Sequence, residues 1–575
     1  RVMRVGNIQA AGHHTVMPYR LHPTTGPAAA TGLRVCAAPA LPALPPTATG
    51  ARGPQQSCPL FKPKMPLGLA GRALAASVLI AICGAVGTPA LAQPRLPTLG
   101  DGGDLTAGAE RRLGDSIIRE LYRDPDYIDD PVLVEYVQTQ WLALLAAARA
   151  RGELSPELDE RFAWEVLLGR DRSVNAFALP GGYLGVHLGL IGVVASRDEL
   201  ASVLAHELSH VTQRHIARLM AQQSRQTPLM IGAMILGALA ASKSPDAAQA
   251  LAIGGQALVV QNQLNFSRDM EREADRVGYS LMAPAGFAPQ GFVGMFDKLQ
   301  QANRLNDNGS WPYLRSHPLT TQRIADMQSR LPPGASTLAP APALEHAMVS
   351  ARARVLSRPG VDVLRQWQAE PRSTGFAAQP AARRAGALYA AALAASQLRD
   401  HAGARALLAP LQAVVQGDAP AQRQVQLLAA ELALAAGDVQ AARQALSAGG
   451  GAASSPDRPT LLLRTQVLLR AGQAQDMAGP LQTWLATHPR DAGAWQLLAS
   501  VWQAQGQVLR SVRAEAEAHA ARYDYAAAVD RFKAGQDVAR KGSAPADFVE
   551  ASIIDTRLRA VEALAREQAQ QAAER

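Results

Sequence analysis

His206, Glu207 and His210, within the pentapeptide HELSH, are the residues of this chain best suited to chemistry. On a helix, positions four apart project from one face about one turn apart, so the two imidazoles share that face and Glu207 sits beside them. Two neutral imidazoles so placed can hold one Zn²⁺, and a neighbouring carboxylate that does not ligate it can take a proton from water. The chemistry implied is metal-assisted hydrolysis. Ordinary His and Glu frequencies produce HExxH on the order of once in a hundred chains of this length, so the surrounding elements must decide.

The approach DELASVLAHELSH places Leu200, Val203, Leu204 and Leu208 at helical spacing. It predicts an amphipathic helix, with Asp198 capping its first turn. A catalytic zinc takes three protein ligands, so a third has to come from elsewhere. Gln213 and Ile216 exclude the HExxHxxGxxH continuation. His215 lies nine residues after His206, about 180° round a continuous helix, and reads as an outward or packing histidine. The segment SRDMEREADRVGYSLM supplies the better candidate: Glu271 and Asp275 fall four apart on a second helix. Glu271 can then ligate the metal while Asp275 braces a ligand histidine. Glu273 competes for the ligand role but projects about 200° away from Glu271.

The pairing of HELSHVTQRH with EREAD, an ExxAD signature, resembles the gluzincin peptidases, a family that includes HtpX-like, Ste24-like and BepA-like proteases. Two further segments are similar to elements of that family. SVNAFALPGGYLGVHLGLI (173–191) matches a strand-rich segment whose edge pairs with extended substrate, and RSHPLTTQRIADM (315–327) matches a downstream histidine element. The resemblance spans roughly residues 97–330. It implies one Zn²⁺ per chain on His206, His210 and Glu271, Glu207 as general base, Asp275 behind the ligands, and His317 or Arg323 steadying the oxyanion. In the BepA-like members the matching histidine is instead a fourth ligand that blocks the water site, and the sequence leaves both roles for His317 open.

Read on their own, these segments agree. Val174–Leu190 is rich in β-branched and aromatic residues and interrupted by Pro180, Gly181 and Gly182, which predicts a bent or hairpinned strand pair. An exposed edge there could hold a peptide through its backbone, although an ordinary structural hairpin has the same pattern. His317 and Arg323 flank Pro318, as on a loop entering a helix.

The 575 residues, 48% of them hydrophobic, allow several packed domains. The fold class expected is α+β: a mainly helical zincin domain with a small β-sheet (93–333), a Pro- and Ala-rich linker (334–346), then an all-α tetratricopeptide-repeat solenoid (347–575). The repeat reading rests on turn-like Gly437, Gly472 and Gly506, spaced as helix pairs of that kind are, with Trp495, Leu498, Ala499 and Trp502 in a first-helix pattern and Pro489 closing the preceding unit. Asp400 to Gly403 marks an earlier, degenerate unit. A generic helical bundle is the alternative.

The net charge of +9 misleads, because residues 1–92 hold eight basic and no acidic residues, leaving 49 basic against 48 acidic in the rest. No nucleic-acid partner is implied. Residues 65–92, beginning at Met65, carry Arg72, an apolar run from Ala73 to Val86 and the small-residue site Ala90-Leu91-Ala92, the pattern of a signal peptide cleaved after Ala92. Residues 1–64 look like an overextended, disordered start. Cys36, Cys58 and Cys83 all precede that cleavage point, so the exported protein would contain no thiol.

The apolar runs 228–241 and 247–260 suggest a helical hairpin that covers the site or touches membrane peripherally, core packing being the plainer reading. A secreted gluzincin with repeats resembles the BepA-like members most. That resemblance implies a periplasmic protease acting on unfolded or stalled outer-membrane proteins and engaging the β-barrel assembly machinery through its repeats. It equally allows a mostly latent, chaperone-like scaffold whose zinc site is closed by His317.

Overall fold

In chain order the elements are α1 (Ala107–Arg123), β1 (Tyr127–Ile128), α2 (Pro131–Arg151), α3 (Pro156–Arg161), β2 (Glu165–Gly169), β3 (Ala176–Leu179), β4 (Tyr183–His187), α4 (Leu188–Val193), α5 (Arg197–Thr212) and α6 (His215–Gln222). There follow α7 (Arg268–Met282), α8 (Gln290–Arg304), α9 (Tyr313–Ser316), α10 (Thr321–Ser329) and α11 (Leu344–Leu356), then a series of helices to Ala573. The computed structural model describes residues 105–222, 267–304, 310–331, 343–447, 457–541 and 545–573, all within one compact unit, 94–575. Outside the described residues lie the N-terminal extension, the signal peptide, all three cysteines, both apolar runs and most of the stretch read as linker.

Local signals set the helix ends. Asp130 caps α2 by accepting from Leu133 N, Pro131 occupies the first turn where its missing N–H costs nothing, and left-handed Gly152 closes the far end. At α5 the cap is Ser196, whose Oγ accepts from Glu199 N at 3.1 Å, and not Asp198. Asp198 Oδ1 instead accepts from Ala288 N, anchoring the loop that leads into α8.

Helix α5 is also less amphipathic than its spacing suggests: every residue from Glu199 to Thr212 is buried. It runs through the middle of the domain, wrapped by α2, α7, α8 and β3. Leu200, Leu204 and Leu208 are fully buried, a gain of about 1.5–3 kcal/mol each that offsets the cost of taking the polar motif out of water. Against it lies α7, so close that a side chain at the contact would crowd its neighbour. A Cβ on Gly278 would sit 3.0 Å from the Ala205 carbonyl, so the glycine lets α7 bring its acidic face up to His206.

The sheet has the order β1-β2-β4-β3. Strands β3 and β4 form the expected hairpin, antiparallel with Ala176 opposite Val186 and Leu179 opposite Tyr183, and the turn between them uses Gly181 and Gly182 at φ 79° and 82°. Strand β2 runs parallel to β4, and β3 is left at the sheet edge beside α5.

Beyond α10, α11 is a shared wall: Val349 and Ala353 join the core around α5, while Met348, Ala351 and Val355 join the core of the helices that follow. It begins at Leu344, within the last residues of the stretch read as linker. Later helices pack as 419–435 against 439–447, 492–504 against 508–521, and 525–541 against 545–573, while 458–470 and 478–487 both pack against 492–504. Gly437, Gly472 and Gly506 are all left-handed, at φ 79°, 69° and 72°. After each, the next N–H reaches back to an earlier carbonyl (Asp438 to Ala433, Gln473 to Leu468, Gln507 to Trp502), which is how a helix end is sealed before its partner starts. Trp502 and Leu498 are buried in the core of their unit, and Asp400 Oδ1 accepts from Gly403 N to cap the earlier one.

These helices are also tied to the segment that leads into α2 and to α2 itself. Arg458 binds Asp129 with both terminal nitrogens at 2.8 Å and holds Asp491, Arg352 binds Asp130, and Arg423 bridges Glu135 and Asp457. No described helix is long and apolar enough to cross a membrane.

Candidate active site

Buried in the middle of α5, His206 and His210 direct their Nε2 atoms to a common point, 3.0 Å from one another. Glu271, from α7, faces them, its Oε1 3.4 Å from His210 Nε2 and its Oε2 3.5 Å from His206 Nε2. A fourth donor comes from the turn after α9. His317 Nδ1 lies 3.3 Å from His206 Nε2 and 3.0 Å from Glu271 Oε1. One donor atom from each of the four residues fits within 4.8 Å of all the others.

The donor set suits Zn²⁺. Tetrahedral bonds of about 2.0–2.1 Å put ligand atoms roughly 3.3 Å apart, close to the spacing here. Glu207 Oε1 is buried and makes no hydrogen bond, an arrangement costly for a carboxylate unless something else meets it, whereas Glu271 Oε2 has the Arg323 guanidinium 2.7 Å away. Behind the cluster, His206 Nδ1 lies 3.0 Å from Asp275 Oδ1, so that carboxylate holds the ring with Nε2 toward the centre.

Residues 136–331 match the family model for peptidase family M48. This chain carries an M48 peptidase domain. It is 29% identical over 436 residues to the beta-barrel assembly-enhancing protease of Escherichia coli (strain K12), covering 74% of this chain and 83% of that protein. A Vibrio cholerae protein provisionally given the same name is 38% identical over 287 residues, 48% of this chain and 55% of the relative. The mitochondrial metalloendopeptidase OMA1 of Arabidopsis thaliana is 30% identical over 228 residues, 40% of this chain and 42% of its own length. The chain thus spans little more than half of the Vibrio relative.

The charges of the M48 site are set by competition between burial and partners. Burial alone would keep His206 neutral, but its bonds to Asp275 and Glu271 outweigh it and raise the metal-free imidazole to about 9. Burial dominates at His210 and pushes it well below the ordinary histidine value. Glu271 resists burial and is held well below the usual carboxylate range by His317, His206 and His210. A metal ion binding here would displace the proton that His206 holds in the metal-free site.

Glu207 is the carboxylate left over. Its Oε2 accepts from Ala178 N on β3 at 2.9 Å, and its Oε1 is 3.4 Å from His317 Nε2. His317 is therefore lodged between the ligands and Glu207, and Tyr313 stacks on its ring at 4.6 Å. Neither Tyr313 nor Ala178 emerges from sequence reasoning. An aromatic four residues before a motif histidine is at most a weak signal, and a backbone N–H carries none.

Arg323 differs from expectation. Its Nε and Nη2 bind Asp275 at 2.6 and 2.8 Å, and its Nη1 donates to Pro318 O and lies 2.7 Å from Glu271 Oε2. The guanidinium is engaged behind the carboxylates, which suits holding Asp275 and Glu271 in place rather than meeting an oxyanion. His215 differs too. Helix α5 ends at Thr212, Arg214 takes a left-handed φ of 53°, and α6 restarts at His215, so the angle counted along one continuous helix does not apply. His215 is buried with Nδ1 2.9 Å from His210 Nδ1. Glu273 points away from the ligands, as its spacing predicts, toward His215 and Arg218.

Proposed function

We propose that this protein is a zinc-dependent endopeptidase of the cell envelope that cleaves misfolded or stalled outer-membrane proteins and assists their assembly. The observation that carries this reading is the placement of Glu207. It lies beside the donor atoms without being one of them, and it accepts from the backbone N–H of Ala178 on edge strand β3. A peptide laid along that edge as an added strand passes the site through backbone bonds that any sequence can make, which suits a protease whose substrates are unfolded.

Zn²⁺ on His206, His210 and Glu271 would supply Lewis acidity toward water and the scissile carbonyl. Glu207 accepts the proton of the attacking water and returns it to the leaving amine. Asp275 and Arg323 keep His206 and Glu271 in register. His317, with one ring nitrogen in the donor cluster and the other facing Glu207, can stand over the developing oxyanion once it leaves the cluster.

The same placement favours a second reading, in which the enzyme is mostly latent and acts as a chaperone-like scaffold. With Nδ1 among the ligand atoms, His317 occupies the position that water needs, and moving it would open the site. The names of the Escherichia coli and Vibrio relatives support a role in β-barrel assembly. We assign the helix pairs to tetratricopeptide-like repeats that engage the assembly machinery, and the protein to the periplasm after cleavage at Ala92. Peripheral membrane contact through 228–260 belongs to the same proposal.

The test is proteolysis of casein and of an urea-unfolded outer-membrane β-barrel by the purified protein, with zinc content measured alongside. Cleavage that vanishes on chelation and in Glu207→Gln supports the reading. Cleavage that survives both would sink it.

A further inference from the structure

His206 and His210 each have a supporting chain behind the ring, and only that of His206 corresponds to the sequence signature. The second chain starts at His210 Nδ1, which lies 2.9 Å from His215 Nδ1; His215 Nε2 lies 3.1 Å from Glu273 Oε2; and Arg218 Nη1 donates to that same oxygen at 2.8 Å. A neutral imidazole has one ring proton. For His210 to offer the Nε2 lone pair that faces Glu271 and His206, its proton must sit on Nδ1 and needs an acceptor. The atom opposite is His215 Nδ1, which accepts only if the His215 proton is on Nε2, where Glu273 receives it.

We propose that His215 is a positioning residue of the metal site, fixing the tautomer and ring plane of His210 with Glu273 as its anchor. This rests on the reading of the cluster as a metal site. It explains why the backbone breaks between α5 and α6. A continuous helix would carry residue 215 to the far side of α5, whereas the left-handed turn at Arg214 brings it back against His210. That turn has its own support: Arg214 binds Glu110 Oε2 through Nε and Nη2 at 3.2 and 3.1 Å, and reaches Leu105 O. A left-handed arginine is strained and persists only where its surroundings enforce it. The His206 arm ends in the buried Arg323, while this arm ends at half-exposed Glu273 and Arg218.

The test is zinc affinity of the full chain, titrated against a chromophoric chelator. His215→Ala should weaken Zn²⁺ binding about 10–100-fold, the usual cost of removing a group that orients a ligand. His215→Asn, whose amide oxygen can replace Nδ1 as acceptor, should recover most of that loss, and Glu273→Ala should lose an intermediate amount. Melting of the metal-free proteins separates a folding defect from a site defect. If His215→Ala melts early, the comparison of Asn with wild type and the Glu273→Ala result still decide. Affinity unchanged in His215→Ala, or equally reduced in the Asn and Ala variants, overturns the assignment. A wild-type chain that binds no zinc overturns the metal reading itself, and this one with it.

Discussion

Ala178 donates its backbone N–H to Glu207 Oε2 at 2.9 Å, so the edge strand and the carboxylate of the HELSH helix hold each other. Glutamine at 207 can still accept this bond through its amide oxygen but cannot take a proton from water. Glu207→Gln should therefore fold and bind zinc normally while turnover falls about 10²–10⁴-fold. Glu207→Ala removes the acceptor of this half-buried N–H as well, a loss of about 0.5–1.5 kcal/mol. Urea titrations of the two inactive variants should differ by that amount; equal stability would show that the Ala178 bond contributes nothing.

The site was legible in the sequence wherever helix periodicity turns spacing into direction. HELSH lies in one helix, Glu271 and Asp275 in another, and the donor atoms of His206, His210 and Glu271 lie within 4.8 Å of one another. The three turn glycines were legible for a similar reason, since a left-handed helix end favours glycine. His215 was not, because Arg214 breaks the helix with neither glycine nor proline to announce it. Arg323 showed its charge but not its direction, which depends on where α10 packs against α7. The long-range ion pairs were also hidden, as Arg458 and Asp129 are 329 residues apart and nothing local marks them as partners.

Arg323 is buried against Asp275 and Glu271, and its removal strands both carboxylates. Arg323→Ala should lose about 3–5 kcal/mol in metal-free urea unfolding. Lysine cannot supply the two-pronged bond to Asp275 and should rescue little. Pairing Arg323→Ala with Asp275→Asn removes one stranded charge, so the double variant should be more stable than the sum of the single losses predicts. Strict additivity would mean that the pair acts through separate routes.

His317 Nδ1 sits among the ligand atoms while its Nε2 faces Glu207. If this is a closed state, His317→Ala frees the position needed by water, and cleavage of unfolded substrate should rise severalfold while zinc affinity falls. Tyr313→Ala, which removes the ring stacked on His317, should move activity in the same direction by a smaller amount. Activity that drops in both variants would place His317 with the oxyanion instead. Peptide cleavage measured at equal zinc occupancy separates the two.

His346 supplies a pH dependence remote from the metal. It is buried at the start of α11, where its Nε2 donates to Val194 O at 3.0 Å and its Nδ1 accepts from Tyr136 OH at 2.8 Å. A second proton would have to enter on Nδ1, against that phenol, and burial lowers the pKa from its ordinary 6.5. Because the folded value lies below the unfolded one, the unfolded chain binds the proton first as pH falls. The stabilising contribution is thus present above about 6.5 and is lost as pH drops toward the folded value. His346→Gln can keep the bond to Val194 O through its amide N–H and has nothing to titrate. Wild type should therefore lose more melting temperature than His346→Gln between pH 7.5 and pH 5.5, and parallel curves for the two proteins would rule His346 out as the source.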